Sequence, residues 1–263
     1  MANSSREGCP GKSSEPKGRG LRIKIINPNT TKEMTEGIDA AAKKYKRPET
    51  EIVTVSPDYG PATIDNFYDE ALSAVGVLEE VKKGLAEGFD GFVIACFSDP
   101  GLQASREISN VPVVGIAEAS MLFACTVAYR FSILSMPKRS LASTHELLRR
   151  YGLESRCASI RMIDVPVLEM ERGLSEMKKD LLKEARKAVK EDDAEAILLG
   201  CAGLAGLDKE FENKLGVPVI DGVVAAVKLL EALHEYGLNT SKALTYLPPE
   251  KKTITGFSKI LRE

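Results

Sequence analysis

From Leu21 onward, short apolar and β-branched runs alternate with longer stretches in which apolar residues return every three or four positions. The short runs predict strands at 22–26, 51–55, 91–95, 113–115, 131–134, 158–161, 196–199 and 217–220. The longer ones predict helices at 32–44, 69–87, 102–108, 117–128, 140–151, 175–191 and 223–236. Continuous apolar strands separated by helical patterns are the signature of parallel sheets covered on both faces. Thr30 or Thr31, followed by Glu33 and Glu36, marks a capped, acidic helix start, and Asn110 and Gly237 mark two helix ends. Residues 1–20, rich in Ser, Gly, Lys, Glu and Pro, hold too little apolar surface to offset the entropy of ordering and are expected to be disordered.

The pattern repeats. Gly91-Phe-Val-Ile-Ala-Cys96 and Ala194-Glu-Ala-Ile-Leu-Leu-Gly-Cys201 are apolar runs that each end in cysteine where a strand gives way to a helix. Val111-Pro-Val-Val-Gly115 follows the first and Val217-Pro-Val-Ile-Asp221 the second. Upstream, the run ending in Asn27-Pro28 is matched by the run ending in Met136-Pro137. The offsets are 109 (Pro28 to Pro137), 105 (Cys96 to Cys201) and 106 (Pro112 to Pro218) residues. The expected fold is therefore α/β, with two pseudo-symmetric lobes. Each lobe is a four-stranded, mainly parallel sheet flanked by helices, with the active site in the cleft between them. The chain is expected to cross between lobes near Gly115 and Asp221, giving 21–115 plus 221–263 in the first lobe and 116–220 in the second.

A chain of 263 residues, 43% hydrophobic, supports a substantial core, and a net charge of −2 with interspersed signs gives no footprint for nucleic acid or membrane partners. No apolar run approaches membrane-spanning length and no secretory leader precedes the first strand, so a cytoplasmic location is expected. The five cysteines include no close pair, which argues against a disulfide framework, a redox pair or a zinc site, and no metal is expected. His145 and His234 lie in charged helical stretches and read as exposed structural residues. No phosphate-binding glycine motif occurs.

In open parallel sheets ligands gather beyond the carboxyl ends of the strands, where Cys96 and Cys201 both fall. A single cysteine there is commonly a small core hydrophobe; two at equivalent points of a repeat point to chemistry. Nearby helix starts and turn amides are expected to favour thiolate. Cys125, Cys157 and Cys9 keep a structural reading. Opposed thiols suit proton transfer at carbon, one removing a proton beside a carbonyl and the other delivering one to the opposite face, without a cofactor. The enolate-like intermediate needs donors. Candidates are the backbone N–H groups of Phe97, Ser98, Ala202 and Gly203 and the side chains of Asn27, Asn29, Thr30, Ser98 and Ser135. Glu118 and Asp221 lie beside the crossing points, placed to bond loop amides or tune a thiol.

The strings Ile25-Ile-Asn-Pro-Asn-Thr-Thr, Val75-Gly-Val-Leu-Glu, Val93-Ile-Ala-Cys-Phe-Ser-Asp-Pro-Gly-Leu, Gly115-Ile-Ala-Glu-Ala, Leu198-Leu-Gly-Cys-Ala-Gly-Leu and Val217-Pro-Val-Ile-Asp-Gly-Val, in this order, resemble the hydantoin racemases of the aspartate/glutamate racemase superfamily. The resemblance implies a cofactor-independent, two-base isomerase that inverts C5 of 5-substituted hydantoins, with Cys96 and Cys201 as the catalytic pair. It makes the small-molecule partner a cyclic ureide. A homo-oligomer is expected. The alternatives are an allantoin racemase and a non-catalytic small-molecule binding protein using the same cleft.

Overall fold

The computed structural model describes residues 20–165, 174–257 and 260. The expected disordered tail lies, apart from Gly20, outside them. In chain order the elements are β1 (Arg22–Ile26), α1 (Lys32–Tyr45), β2 (Glu51–Val55), α2 (Phe67–Ala86), β3 (Gly91–Ile94), α3 (Leu102–Ile108), β4 (Val113–Gly115) and α4 (Ile116–Val127). Then come β5 (Phe131–Ser135), α5 (Leu141–Arg150), β6 (Cys157–Met162), α6 (Leu174–Glu191), β7 (Ala196–Leu199), α7 (Asp208–Leu215), β8 (Val219–Asp221) and α8 (Gly222–Tyr236). They build two four-stranded sheets, ordered β2-β1-β3-β4 and β6-β5-β7-β8, and every strand pair is parallel.

The central strands are buried on both faces, which is why β3 and β7 read as unbroken apolar runs, while β1 and β5 each admit a buried polar residue within the run, Lys24 and Ser132. Alternation sorts their side chains. Ile23, Ile25 and Val93 meet α1 and α8, whereas Ile26, Phe92 and Ile94 meet Val77 and Val81 of α2. In the second sheet Phe131, Ile133, Ala196 and Leu198 pack on α4 and α5, and Leu134, Ile197 and Leu199 on α6 and Phe211 of α7. Met34 of α1 borders core clusters of both sheets. The repeat extends to the ladder ends: Ala95 N–H donates to Ile26 O at 2.8 Å, and Gly200 N–H to Leu134 O at 2.8 Å. Both edge strands β4 and β8 start just after a proline whose carbonyl still accepts from the neighbouring strand, from Phe92 in one half and Ile197 in the other.

Three details differ from the pattern reading. Helix α7 was not expected, because only Phe211 and Asp208 of its eight residues are buried and no apolar period shows. Ser109, in an extended conformation, ends α3 in place of Asn110, while Gly237 does end α8 with φ 76°. Thr31 precedes α1, but its side chain accepts no cap bond. Asn29 Oδ1 accepts from Thr31 N–H at 2.9 Å instead.

Candidate active site

In each sheet the chain leaves the first central strand toward one edge and returns on its other side. Crevices therefore open at the carboxyl ends of β1 and β3, and of β5 and β7. Cys96 follows β3 and Cys201 follows β7, and the two thiols line one cavity. A tight turn holds the first: Asp99 N–H donates to Cys96 O at 3.0 Å, and Asp99 itself takes the left-handed φ of 48° that Asp tolerates better than most residues. The second opens a 3₁₀ turn at Ala202–Leu204.

Of the residues singled out in the sequence, Asn29, Phe97, Ser98, Ser135 and Ala202 line the cavity with the thiols; Asn27, Thr30 and Gly203 do not. Asn27 is fully buried, and its Nδ2 donates to Asn29 Oδ1 at 2.9 Å and Thr35 Oγ1 at 2.9 Å, so it holds the loop from beneath. Thr30 is tied to Pro61 O. Ser135 Oγ donates to Gly200 O at 2.6 Å, and a side chain at Gly200 would fall 2.8 Å from Ser135 Cβ, so the close approach there needs glycine. Sequence reasoning missed a second wall. The start of α2 contributes Asp65, Asn66 and Glu70, and the start of α5 contributes Ser140, Ser143 and Thr144. A signal for the first existed: Asn66 Oδ1 accepts from Tyr68 and Asp69 N–H, and Asp69 Oδ2 accepts from Asn66 Nδ2 and Asp65 N–H. That reciprocal cap is readable as Asn-x-x-Asp, which moves the helix start from residue 69 to 67.

Each thiol keeps partial contact with the cavity, yet packed protein surrounds it. Burial pushes Cys96 up to about 12, against hydrogen bonds from Ser98, whose Oγ lies 3.4 Å from Sγ; Cys201 adds to the rise. Burial likewise pushes Cys201 up to about 11, against the N–H groups of Gly203 and Leu204, and Asp65 adds to the rise. The expectation of favoured thiolates is thus corrected. The turn amides act in the expected direction, but desolvation is the larger effect.

A carboxylate seals each loop. Asp221 Oδ1 accepts from Val223 and Val224 N–H at the start of α8, and its Oδ2 from Gly206 N–H in the loop after Cys201. At the start of α4 the equivalent position is Gly115, and the carboxylate comes instead from Asp99 in the loop after Cys96. Asp99 accepts from Ala117 and Glu118 N–H and from Tyr151 OH at 2.6 Å. A Cβ at Gly115 would lie 2.2 Å from that carboxylate. Glu118 is spent on an ion pair with Arg106.

Fold and shared cavity place the chain among two-lobed, pseudo-symmetric α/β proteins. It belongs to the Asp/Glu/Hydantoin racemase family, whose model matches residues 23–230. It is 51% identical over 236 residues to the hydantoin racemase of Pseudomonas sp. (strain NS671), covering 90% of this chain and 95% of that one. The hydantoin racemase of Rhizobium meliloti is 44% identical, with 90% and 98% covered. The structure of allantoin racemase from Klebsiella pneumoniae superposes with a TM-score of 0.88 at 48% identity, covering 90% of this chain and 97% of that one.

Proposed function

We propose that this chain is an isomerase that racemises 5-substituted hydantoins at C5, with Cys96 and Cys201 as its two bases. The observation that carries the reading is the pair of thiols at equivalent strand ends of the two sheets, lining one cavity; the hydantoin racemases at 51% and 44% identity support the substrate class. One sulfur, as thiolate, takes the C5 proton, the C5–H electron pair passes into the adjacent carbonyl as an enolate, and the facing thiol returns a proton to the other side. Ser98 and Asn29, which line the cavity, and the N–H groups of the Cys96 and Cys201 loops are the donors this reading assigns to the developing oxyanion.

The 48% identity to an allantoin racemase of known structure favours allantoin, itself a substituted hydantoin, as a second substrate. The same reading assigns α4 to the second lobe and α8 to the first, consistent with their packing on β7 and on β3, respectively, with the crossings near Gly115 and Asp221. It includes assembly into a homo-oligomer and a cytoplasmic location; among the described residues no helix is long and apolar enough to cross a membrane. The test is polarimetry of single enantiomers of 5-methylhydantoin, 5-benzylhydantoin and allantoin without added cofactor. Rotation decaying to zero from both hands supports the reading, and persistent rotation of all three overturns it.

A further inference from the structure

The cavity wall formed by the start of α2 has a charge character that two-thiol chemistry does not require. Asp65 and Glu70 both reach the cavity, and among the described residues no Lys, Arg or His lines it. One oxygen of Asp65 accepts from Thr63 Oγ1 at 2.9 Å, whereas its Oδ1 is shielded from bulk water and has no donor. A buried acceptor left in that state costs about 1–3 kcal/mol, which a ligand N–H in the cavity offsets once the carboxylate, which lines the cavity, rotates to meet it. No described group donates to the Glu70 carboxylate either. Burial shifts Glu70 upward, Arg150 opposes the shift and Glu146 reinforces it, so Glu70 sits half-buried at the cavity wall with no hydrogen-bond donor among the described residues. The facing hydroxyls cannot serve it, because Ser140, Ser143 and Thr144 donate to backbone carbonyls of their own turn.

Resting on the racemase reading, we infer that Asp65 and Glu70 form a specificity wall that selects hydantoins whose C5 substituent carries N–H donors or positive charge and rejects those whose substituent is a carboxylate. The ring must sit between the thiols at the strand ends, and the substituent then projects toward the helix starts that enclose the cavity. There two acceptors without donors meet it. An amide or ureido N–H satisfies them; a second anion adds like-charge repulsion where water is scarce and leaves the acceptors unpaired.

The hydantoins bearing 2-carbamoylethyl and 2-carboxyethyl substituents at C5 are nearly isosteric and separate charge from size. With the native enzyme the amide is expected to exceed the acid in kcat/KM by about thirtyfold, the scale set by one buried acceptor left unpaired. In Glu70→Gln the ratio should fall by at least about threefold, and in the double variant Glu70→Gln/Asp65→Asn it should approach one. The ratio is internal to each enzyme, so partial loss of folded protein cancels. A native ratio near one, no turnover of the amide, or a ratio preserved in the double variant overturns the inference. 5-Methylhydantoin, 5-benzylhydantoin and allantoin are the references: if the native enzyme racemises none of the three, the racemase reading falls instead.

Discussion

Cys96 and Cys201 differ in their neighbours, and the difference gives each a separate readout. Cys96 has the Ser98 hydroxyl at 3.4 Å, whereas Cys201 accepts from turn amides and feels the Asp65 carboxylate. Serine is far too weak an acid to stand in for either, so Cys96→Ser and Cys201→Ser are each expected to lower racemisation by at least about a thousandfold, the cost of losing a positioned acid or base. In deuterated solvent each variant should still exchange the C5 proton of one enantiomer, and the preferred hand should switch between them; exchange of the same hand by both refutes opposed bases. Asp99 acts at one remove. Asp99→Ala strips the acceptor from two α4 amides and Tyr151 and places alanine at positive φ, so a loss of about 2–3 kcal/mol is expected. A urea midpoint shift at unchanged slope measures it.

The elements differ in how openly the sequence declares them. Strands β3 and β7, with their cysteine ends, were legible because burial on two faces leaves them no polar interruption and because the motif occurs twice; β1 and β5 each hold a buried polar residue within the run, Lys24 and Ser132, and were read from the apolar residues around it. Helix α7 was not, since a short helix with one large buried side chain carries no period. The cavity divides the same way. Its floor at the strand ends follows from topology, but the walls at α2 and α5 depend on where two helices begin, and helix boundaries are the least legible feature of a pattern. Asn66 shows what hangs on such a boundary. It caps α2 and lines the cavity, so Asn66→Ala should cost about 1 kcal/mol of stability. It should also lower kcat/KM by more than that stability loss explains, because Asp65 and Glu70 flank the frayed turn; thermal melts and initial rates on one preparation separate the two effects.

At the scale of the whole molecule, the two-thiol proposal makes activity depend on both sheets, since each supplies one thiol. Burial holds the pair at about 11 and about 12, so near neutrality the unliganded site is almost wholly dithiol, while the proposed mechanism needs one thiolate and one thiol. Below the lower value the competent fraction grows tenfold per pH unit. kcat/KM is therefore expected to climb from pH 7 to pH 10 and to fall only where the second thiol also ionises, with apparent values that belong to the pair. A flat profile from 7 to 10 contradicts this. The sealing carboxylates show how far the halves have parted: one half delivers its charge from the strand end, the other from the loop. Gly115→Asp should collide with Asp99 and destabilise, Asp99→Gly should uncap α4, and the double variant should recover much of the loss, as read from three melting curves. Neither single step is silent, so a lineage that has taken one arrangement cannot drift into the other one substitution at a time. With that outcome the two halves hold different answers to the same problem, and a molecule made by joining two copies of either half would not be equivalent to this one.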